Sequence, residues 1–382
     1  MRRLAALFAA AVLAAGLSAC GDDGGSGSAG GSTPRASTPS PASQPGYVGI
    51  VASEVLPQKL ATQEASLKAQ AAAGVGTLRQ TFQWNEIEPR KGDWAFGMHD
   101  QLVASAAKAG IQILPIVFNV RPGEEAKPKK NVTITPTTTM PPRDPAAFAE
   151  YATVLVKRYG RGGSFWKEHP EVPAKPMTSW QIWNEPNLKA YWGGRPNQIE
   201  YTALLRATST AIRAVDPEAE IVTGGLPESK LGIKMEQYID LMARAGAKGT
   251  FDTVAIHPYS RTVDGVILGI ETAREALDEA GMRDVGIWVT EVGWADNGPS
   301  SKFTVSSQRQ AELVSEVLTR TAAVAPAMKL HGVVYYGWRD VKPYPGGKDF
   351  WGLHTGLMTL DNEPKPSLDA FKQAAAFIKD PR

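Results

Sequence analysis

The chain has 382 residues, a formal net charge of +2, 43% hydrophobic residues and one cysteine, Cys20. That length and apolar content suit one large α/β domain, and the near-neutral balance argues against a nucleic-acid partner. A lone cysteine excludes any intramolecular disulfide.

The start of the chain reads as a targeting segment and not as part of a fold. Arg2 and Arg3 precede an apolar run, Leu4 to Gly16, that is too short to span a bilayer comfortably. Leu17-Ser18-Ala19-Cys20 resembles the lipobox of bacterial lipoproteins, in which cleavage leaves the cysteine as the lipid-modified first residue. The plainer alternative is an ordinary signal peptide with an incidental cysteine. On the lipoprotein reading residues 1–19 are the signal peptide, Cys20 is the lipidation site, and the mature protein is extracytoplasmic, anchored to the cell membrane. Loss of Arg2 and Arg3 leaves 39 basic residues facing 39 acidic ones. Residues 21–45 are almost all Gly, Ser, Thr, Pro, Ala and Asp, which cannot bury enough apolar area to offset ordering. Residues 20–45 are therefore expected to form a disordered tether, whose flexible length spans roughly 25–30 Å.

From Gly46 short β-branched runs alternate with longer segments of helical period, the signature of βα units on a parallel sheet. Eight strands are predicted: Tyr47–Val51, Gly76–Phe82, Ile111–Phe118, Ser179–Trp183, Glu220–Thr223, Thr253–Ile256, Ile287–Thr290 and Gly332–Tyr336. Between the third and fourth strands, Arg121–Pro145 is rich in Pro, Lys and Thr. It is either an extended loop shaping access to the strand ends or a floppy insertion without consequence. A helix is expected to open at Asn197, with Glu200 completing a capping box, and to end at Asp216-Pro217. Another runs from about Ser306-Ser307 to about Ala325, and the last begins near Pro366-Ser367. Eight such units over residues 46–382 predict a single (β/α)8 TIM barrel, whose active site lies at the carboxyl ends of its strands.

Two glutamates stand at such ends. Glu185 lies in Gln181-Ile182-Trp183-Asn184-Glu185-Pro186-Asn187 after the fourth strand, and Glu291 lies in Ile287-Trp288-Val289-Thr290-Glu291-Val292-Gly293-Trp294 after the seventh. A carboxylate closing a buried strand is poorly placed for solubility and well placed for chemistry. Two of them across one barrel mouth are the pair that glycosidic cleavage requires.

These motifs resemble glycoside hydrolase clan A, over essentially the whole of residues 46–380 and most nearly family 39, with family 5 cellulase-like enzymes next. Arg79 to Trp94 resembles the second-strand motif of those families, Trp183-Asn184-Glu185-Pro186 the fourth, His257-Pro258-Tyr259 the sixth, and Trp338 the eighth-strand tryptophan beneath the sugar. The resemblance implies a retaining glycosidase with Glu185 as acid/base and Glu291 as nucleophile. Arg79 and Tyr259 are the expected donors to Glu291. Asn184 is expected at the sugar 2-hydroxyl, His257 beside Glu291 or the sugar, and Trp338 beneath the pyranose as an apolar platform. Trp192, Trp294 and Trp351 are weaker platform candidates against simple packing.

Glu86 and Glu88, in Trp84-Asn85-Glu86-Ile87-Glu88-Pro89, imitate the Asn-Glu-Pro motif and are expected to tie down the loop after the second strand. His99, His331 and His354 show no spacing with acids that suggests a metal site, and no phosphate loop or dinucleotide fingerprint occurs. Neither metal nor cofactor is expected, and the chain is expected to be a monomer. A modest loop set points to an open groove and attack within chains. Transglycosylation on the same residues and non-catalytic carbohydrate binding both remain open; a solute-capturing transport lipoprotein would have two lobes and no need of paired strand-end acids.

Overall fold

The computed structural model describes residues 46–135, 137–343 and 347–380. The segments expected to be a signal peptide and a tether, with Cys20 between them, lie outside the described residues. Eight parallel strands close into a barrel: β1 (Val48–Val51), β2 (Thr77–Gln83), β3 (Gln112–Phe118), β4 (Ser179–Ile182), β5 (Glu220–Thr223), β6 (Thr253–His257), β7 (Gly286–Val292) and β8 (Leu330–Tyr336). Each predicted strand is present, shifted by at most two residues at either end.

Closure follows from the pairing. β1 pairs with both β2 and β8, and β5 reaches β6 through Val222 and Thr253. A two-residue extension beyond β5, Leu226–Pro227, pairs with the end of β6. Every residue of β2 is buried, as a strand covered on both faces must be. One face of the strands meets helices: Phe82 packs on His99 and Tyr159. The other face fills the barrel, where Val51, Leu114, Val222, Ala255, Trp288, Val334 and Tyr336 form a separate apolar layer contributed by six strands.

Among the described residues, eight principal helices follow the eight strands: α1 (Leu60–Ala72), α2 (Gly97–Lys108), α3 (Pro145–Tyr159), α4 (Gln198–Val215), α5 (Met235–Arg244), α6 (Val263–Glu279), α7 (Ser307–Met328) and α8 (Pro366–Lys379). The caps agree with the sequence. Asn197 accepts from the N–H groups of Ile199 and Glu200 at the start of α4, and Ser306 accepts from Arg309 at the start of α7. The reciprocal half of the capping box is absent at α4: the Glu200 carboxylate instead accepts from the Trp192 indole and pairs with Lys129. α7 also runs three residues past its expected end, through Pro326, and stops at Lys329 in the left-handed region (φ 51°).

The long segment after β3 is folded onto its neighbour. Glu125 and Pro142 form a bridge, Thr139 N–H donates to Ala190 O, and Gly193 N–H donates to Thr139 O. It therefore packs against the β4–α4 loop, which carries Tyr191, and is no floppy insertion.

Candidate active site

β2, β4, β6 and β7 each deliver a polar side chain to one point at the mouth of the barrel. The centre is Arg79, 1% exposed on β2. Its Nε donates to Gln181 Oε1 (2.7 Å), Nη1 to Glu291 Oε1 (2.6 Å) and Nη2 to Asn184 Oδ1 (2.8 Å). Gln181 is held in turn by the Thr223 carbonyl on β5. One guanidinium thus ties three strands together, and because Asn184 accepts through its oxygen, its amide N–H groups point elsewhere as donors.

The backbone at the end of β4 is bent to aim these groups. Trp183 (φ 72°) and Glu185 (φ 46°) both adopt the left-handed region, which costs a non-glycine residue of order 1 kcal/mol or more. Glu185 N–H donates to the Gly225 carbonyl and the Trp183 indole donates to the Tyr191 carbonyl, fixing the bend from both sides. Gly225 is required here: a Cβ on it would lie 1.9 Å from Nε2 of His257.

His257 bridges the two carboxyl groups. Its Nδ1 lies 2.8 Å from Glu185 Oε1 and 3.6 Å from Glu291 Oε2, and its Nε2 lies 3.1 Å from the Thr290 hydroxyl. With its proton on Nδ1 the ring satisfies both short contacts, donating to Glu185 and accepting from Thr290. The Tyr259 hydroxyl donates to Glu291 Oε2 at 2.9 Å. One ligand atom from each of Glu185, His257 and Glu291 falls within 4.8 Å of the others. Oε2 of Glu185 is buried and has no hydrogen-bond partner.

The two carboxyls are driven apart electrically. Burial raises Glu185 above the usual carboxylate range; the charge of Glu291 adds to this, against the His257 hydrogen bond and the charges of His257 and Arg79. Burial is the larger cause, ahead of the neighbouring charge. Burial also pushes Glu291 upward, but the positive charge His257 carries when protonated, the charge and hydrogen bond of Arg79, and the Tyr259 hydroxyl together bring it below its ordinary value. One group is built to hold a proton and the other to lose it.

Glu185, His257 and Glu291 are also, among the described residues, the cluster with metal-type ligands in reach of one another. Both Glu291 oxygens already accept from Arg79 and Tyr259. A divalent cation there would stand beside a fixed guanidinium, so the donor set suits proton transfer better than metal binding.

The structure brings together Arg79, Asn184, Glu185, His257, Tyr259 and Glu291. Trp338 leaves β8 at the mouth but is 6% exposed and packs with the main core, so any face it offers a sugar is narrow. Trp192 and Trp294 are packing residues: Trp192 is wedged between Trp183 and Tyr201, and Trp294 is fully buried with its indole on the Ser260 carbonyl. Glu88 ties its loop as expected, accepting from the Trp84 indole and Gly92 N–H and pairing with Arg121. Glu86 instead accepts from Gln83 at the mouth, with its carboxyl pushed up to about 7 by burial.

Sequence reasoning missed Gln181, Gly225 and Tyr336. Register places Tyr336 level with Val51 and Arg79, and the charges of Glu291 and Glu185 add to the burial that raises its phenol. Only the closing of the barrel brings these positions together. Glu185 and Glu291 lie deep in the mouth, 1% and 2% exposed.

A (β/α)8 barrel with two buried carboxyls at its mouth, one shifted upward and one downward, is an enzyme-like architecture. Its fold is shared with solved glycoside hydrolases. A family 39 glycoside hydrolase from the gut symbiont Bacteroides cellulosilyticus WH2 superposes with a TM-score of 0.64 at 20% identity, over 89% of this chain and 65% of that one. A monomeric β-xylosidase from Caulobacter crescentus CB15 gives 0.61 at 17%, over 85% and 67%. Xylanase 10B from Thermotoga maritima gives 0.56 at 15%, over 88% and 97%. At these identities the likeness establishes the fold, and the chain spans slightly less than two thirds of the family 39 protein. No protein-family profile matches the chain, and no curated protein does.

Proposed function

We propose that the protein is a retaining glycoside hydrolase that cleaves O-glycosidic bonds of an oligosaccharide or polysaccharide by double displacement. The observation that carries this reading is the carboxyl pair, with oxygens inside 4.8 Å and opposite electrical settings. Retention uses carboxyls about 5–5.5 Å apart, whereas inversion needs a gap of roughly 6.5–9.5 Å to admit water. Neighbours of the same fold that are named as a β-xylosidase, a xylanase and an endo-β-1,4-mannanase support a saccharide substrate.

Glu291, ionised beside Arg79, attacks the anomeric carbon. Glu185 gives its proton to the departing oxygen, and its unpartnered Oε2 is the atom suited to carry that proton. Esterification removes the charge on Glu291 while that of Arg79 remains. Glu185 then loses the neighbour that raised it, and deprotonates the water that releases the sugar. The Asn184 amide donates to the 2-hydroxyl, and Trp338 lines the sugar face. On the same terms we read the lipobox and tether as a membrane anchor outside the cytoplasm, and we take the enzyme to be a monomer.

The test is Glu291→Gln assayed on a panel of aryl glycosides and polysaccharides. Activity should fall by about 10³-fold or more. Glutamine is preferred over alanine because Arg79 is buried with Glu291 as its ion-pair partner. Both changes remove the charge opposite the guanidinium, at a cost of roughly 3–5 kcal/mol when a buried pair is broken, but glutamine keeps an oxygen that can still accept from Arg79 and alanine does not. The alanine variant is therefore expected to lose stability as well as activity, although the site lies outside the packed layers. Wild-type turnover matched by the glutamine variant would sink the assignment.

A further inference from the structure

Arg79 and His257 meet Glu291 from strands, whose ladders fix them. Tyr259 meets it from a loop. It follows β6 by two residues, on a tight turn where its N–H donates to the His257 carbonyl across Pro258. Its ring is fixed by two others. Trp351 meets it edge-on, with centroids 5.2 Å apart at 78°, and Phe303 packs 6.0 Å away at 58°. Phe303 and Trp351 are themselves 4.5 Å apart.

These rings come from loops that are firmly tied. The N–H of Ala295 donates to the Phe303 carbonyl, and that of Gly356 donates to Asp340 Oδ1. The buried Lys365 ammonium bridges Asp296 and Asp340, joining the loops after β7 and β8 to the start of α8. Trp351 is 4% exposed. It is poorly open as a sugar platform and well placed as a brace.

We infer that Trp351, backed by Phe303, is a positioning residue: it holds the Tyr259 hydroxyl on the carboxylate of Glu291. The inference rests on the glycosidase reading for its catalytic meaning, although the contact itself does not. The titratable and charged groups facing Glu291 are Arg79, His257, Tyr259, Glu185, Tyr336 and Tyr191. Trp351 meets this set through the Tyr259 ring. Removing the brace frees Tyr259 to swing away, takes one donor from the ionised form of Glu291, and moves its titration upward.

The experiment compares wild type, Tyr259→Phe, Trp351→Ala, Trp351→Phe and the Tyr259→Phe/Trp351→Ala double variant. Two readouts are used: ¹³C-carboxyl NMR titration of glutamate, with Glu291 assigned by its loss in Glu291→Gln, and kcat and KM against pH. Trp351→Ala should raise the Glu291 titration in the same direction as Tyr259→Phe. It should lower kcat by about 10-fold, with the acid limb moved to higher pH. Trp351→Phe keeps a ring at the contact and should retain most of both. In the double variant the loss beyond Tyr259→Phe alone should be under about twofold, because both changes remove one contact. Multiplying losses with a raised KM and an unmoved Glu291 titration would show instead that Trp351 touches the sugar. An unmoved titration with unchanged kinetics would make it plain packing, and either result overturns the inference. A wild type that cleaves no glycoside would sink the glycosidase reading, while the NMR titration would still decide the role of Trp351.

Discussion

The barrel carries two glutamate–histidine pairs, one at each end, and they are built to opposite purposes. At the base, Glu220 on β5 has both oxygens satisfied. Oε1 accepts from the Thr253 hydroxyl (2.5 Å) and faces Nδ1 of His331 (2.9 Å), and Oε2 accepts from the Ser179 hydroxyl (2.6 Å). His331 is exposed and reaches across β7 because Gly286 has no side chain there; a Cβ would meet the imidazole at 2.5 Å. At the mouth, Glu185 and His257 make the same contact at 2.8 Å, but both are buried and one carboxyl oxygen is left without a partner. Burial acts upward on both glutamates. At the base three hydrogen bonds overcome it and the carboxyl is pulled down, whereas at the mouth burial prevails. A satisfied, half-open carboxylate is a staple, and a buried, half-satisfied one is a held proton.

Between the two glutamate–histidine pairs, the largest effect should come from Glu185→Ala. Activity on substrates with poor leaving groups should drop by roughly 10²–10⁴-fold. Substrates with activated leaving groups should suffer less, and added azide should restore turnover by attacking the glycosyl-enzyme. The wild-type profile should be a bell. Glu291 must be ionised, so rate is lost as pH falls through its lowered value, and Glu185 must be protonated, so rate is lost as pH rises through its raised one. In Glu185→Ala the alkaline limb should vanish; a surviving limb would assign it to another group and break the contrast between the two ends.

A smaller effect is expected from Gly225→Ala, whose new methyl must displace His257. We expect a loss of about 10-fold or more in kcat and an altered alkaline limb, read from kcat against pH. The equivalent change at the base, Gly286→Ala, should leave kcat untouched.

The smallest effect sharpens the other half. Glu220 has a folded-state value below its unfolded one, so its contribution is present above the unfolded value and is lost as pH falls through the folded value. Glu220→Gln should therefore lower Tm by ~1–3 °C at neutral pH, a modest amount because the pair is partly solvated, and the difference from wild type should shrink toward acid pH. Its kcat should match wild type. A variant that melts unchanged at every pH would remove the staple from the account.

The strands were legible because β-branched runs such as Ile111–Phe118 cannot be mistaken when helical segments flank them on both sides. Glu185 and Glu291 were legible because each carries a charge where a strand pattern ends. Tyr336 and Gln181 were not, since each sits inside an ordinary strand and acquires meaning only from the register that sets it beside Arg79 or Glu291. Gly225 carries no signal of its own in the sequence; the imidazole that needs its missing Cβ arrives from 32 residues downstream. Trp192 and Trp294 show the reverse failure. A tryptophan near a barrel mouth reads the same in sequence whether it faces a ligand or a core, and here both face the core.

On the proposed glycosidase reading, Arg79 carries a consequence for anyone wishing to run the chemistry backward. A barrel stripped of its attacking carboxylate and fed a glycosyl fluoride is the usual route to a catalyst that builds sugar chains instead of cutting them. In this molecule that deletion would strand a guanidinium between β2 and β4 with only amide oxygens for company. The useful engineering target would be a short side chain that leaves room for a halide or formate ion, so that the anion restoring the charge balance arrives from the buffer and not from the polypeptide.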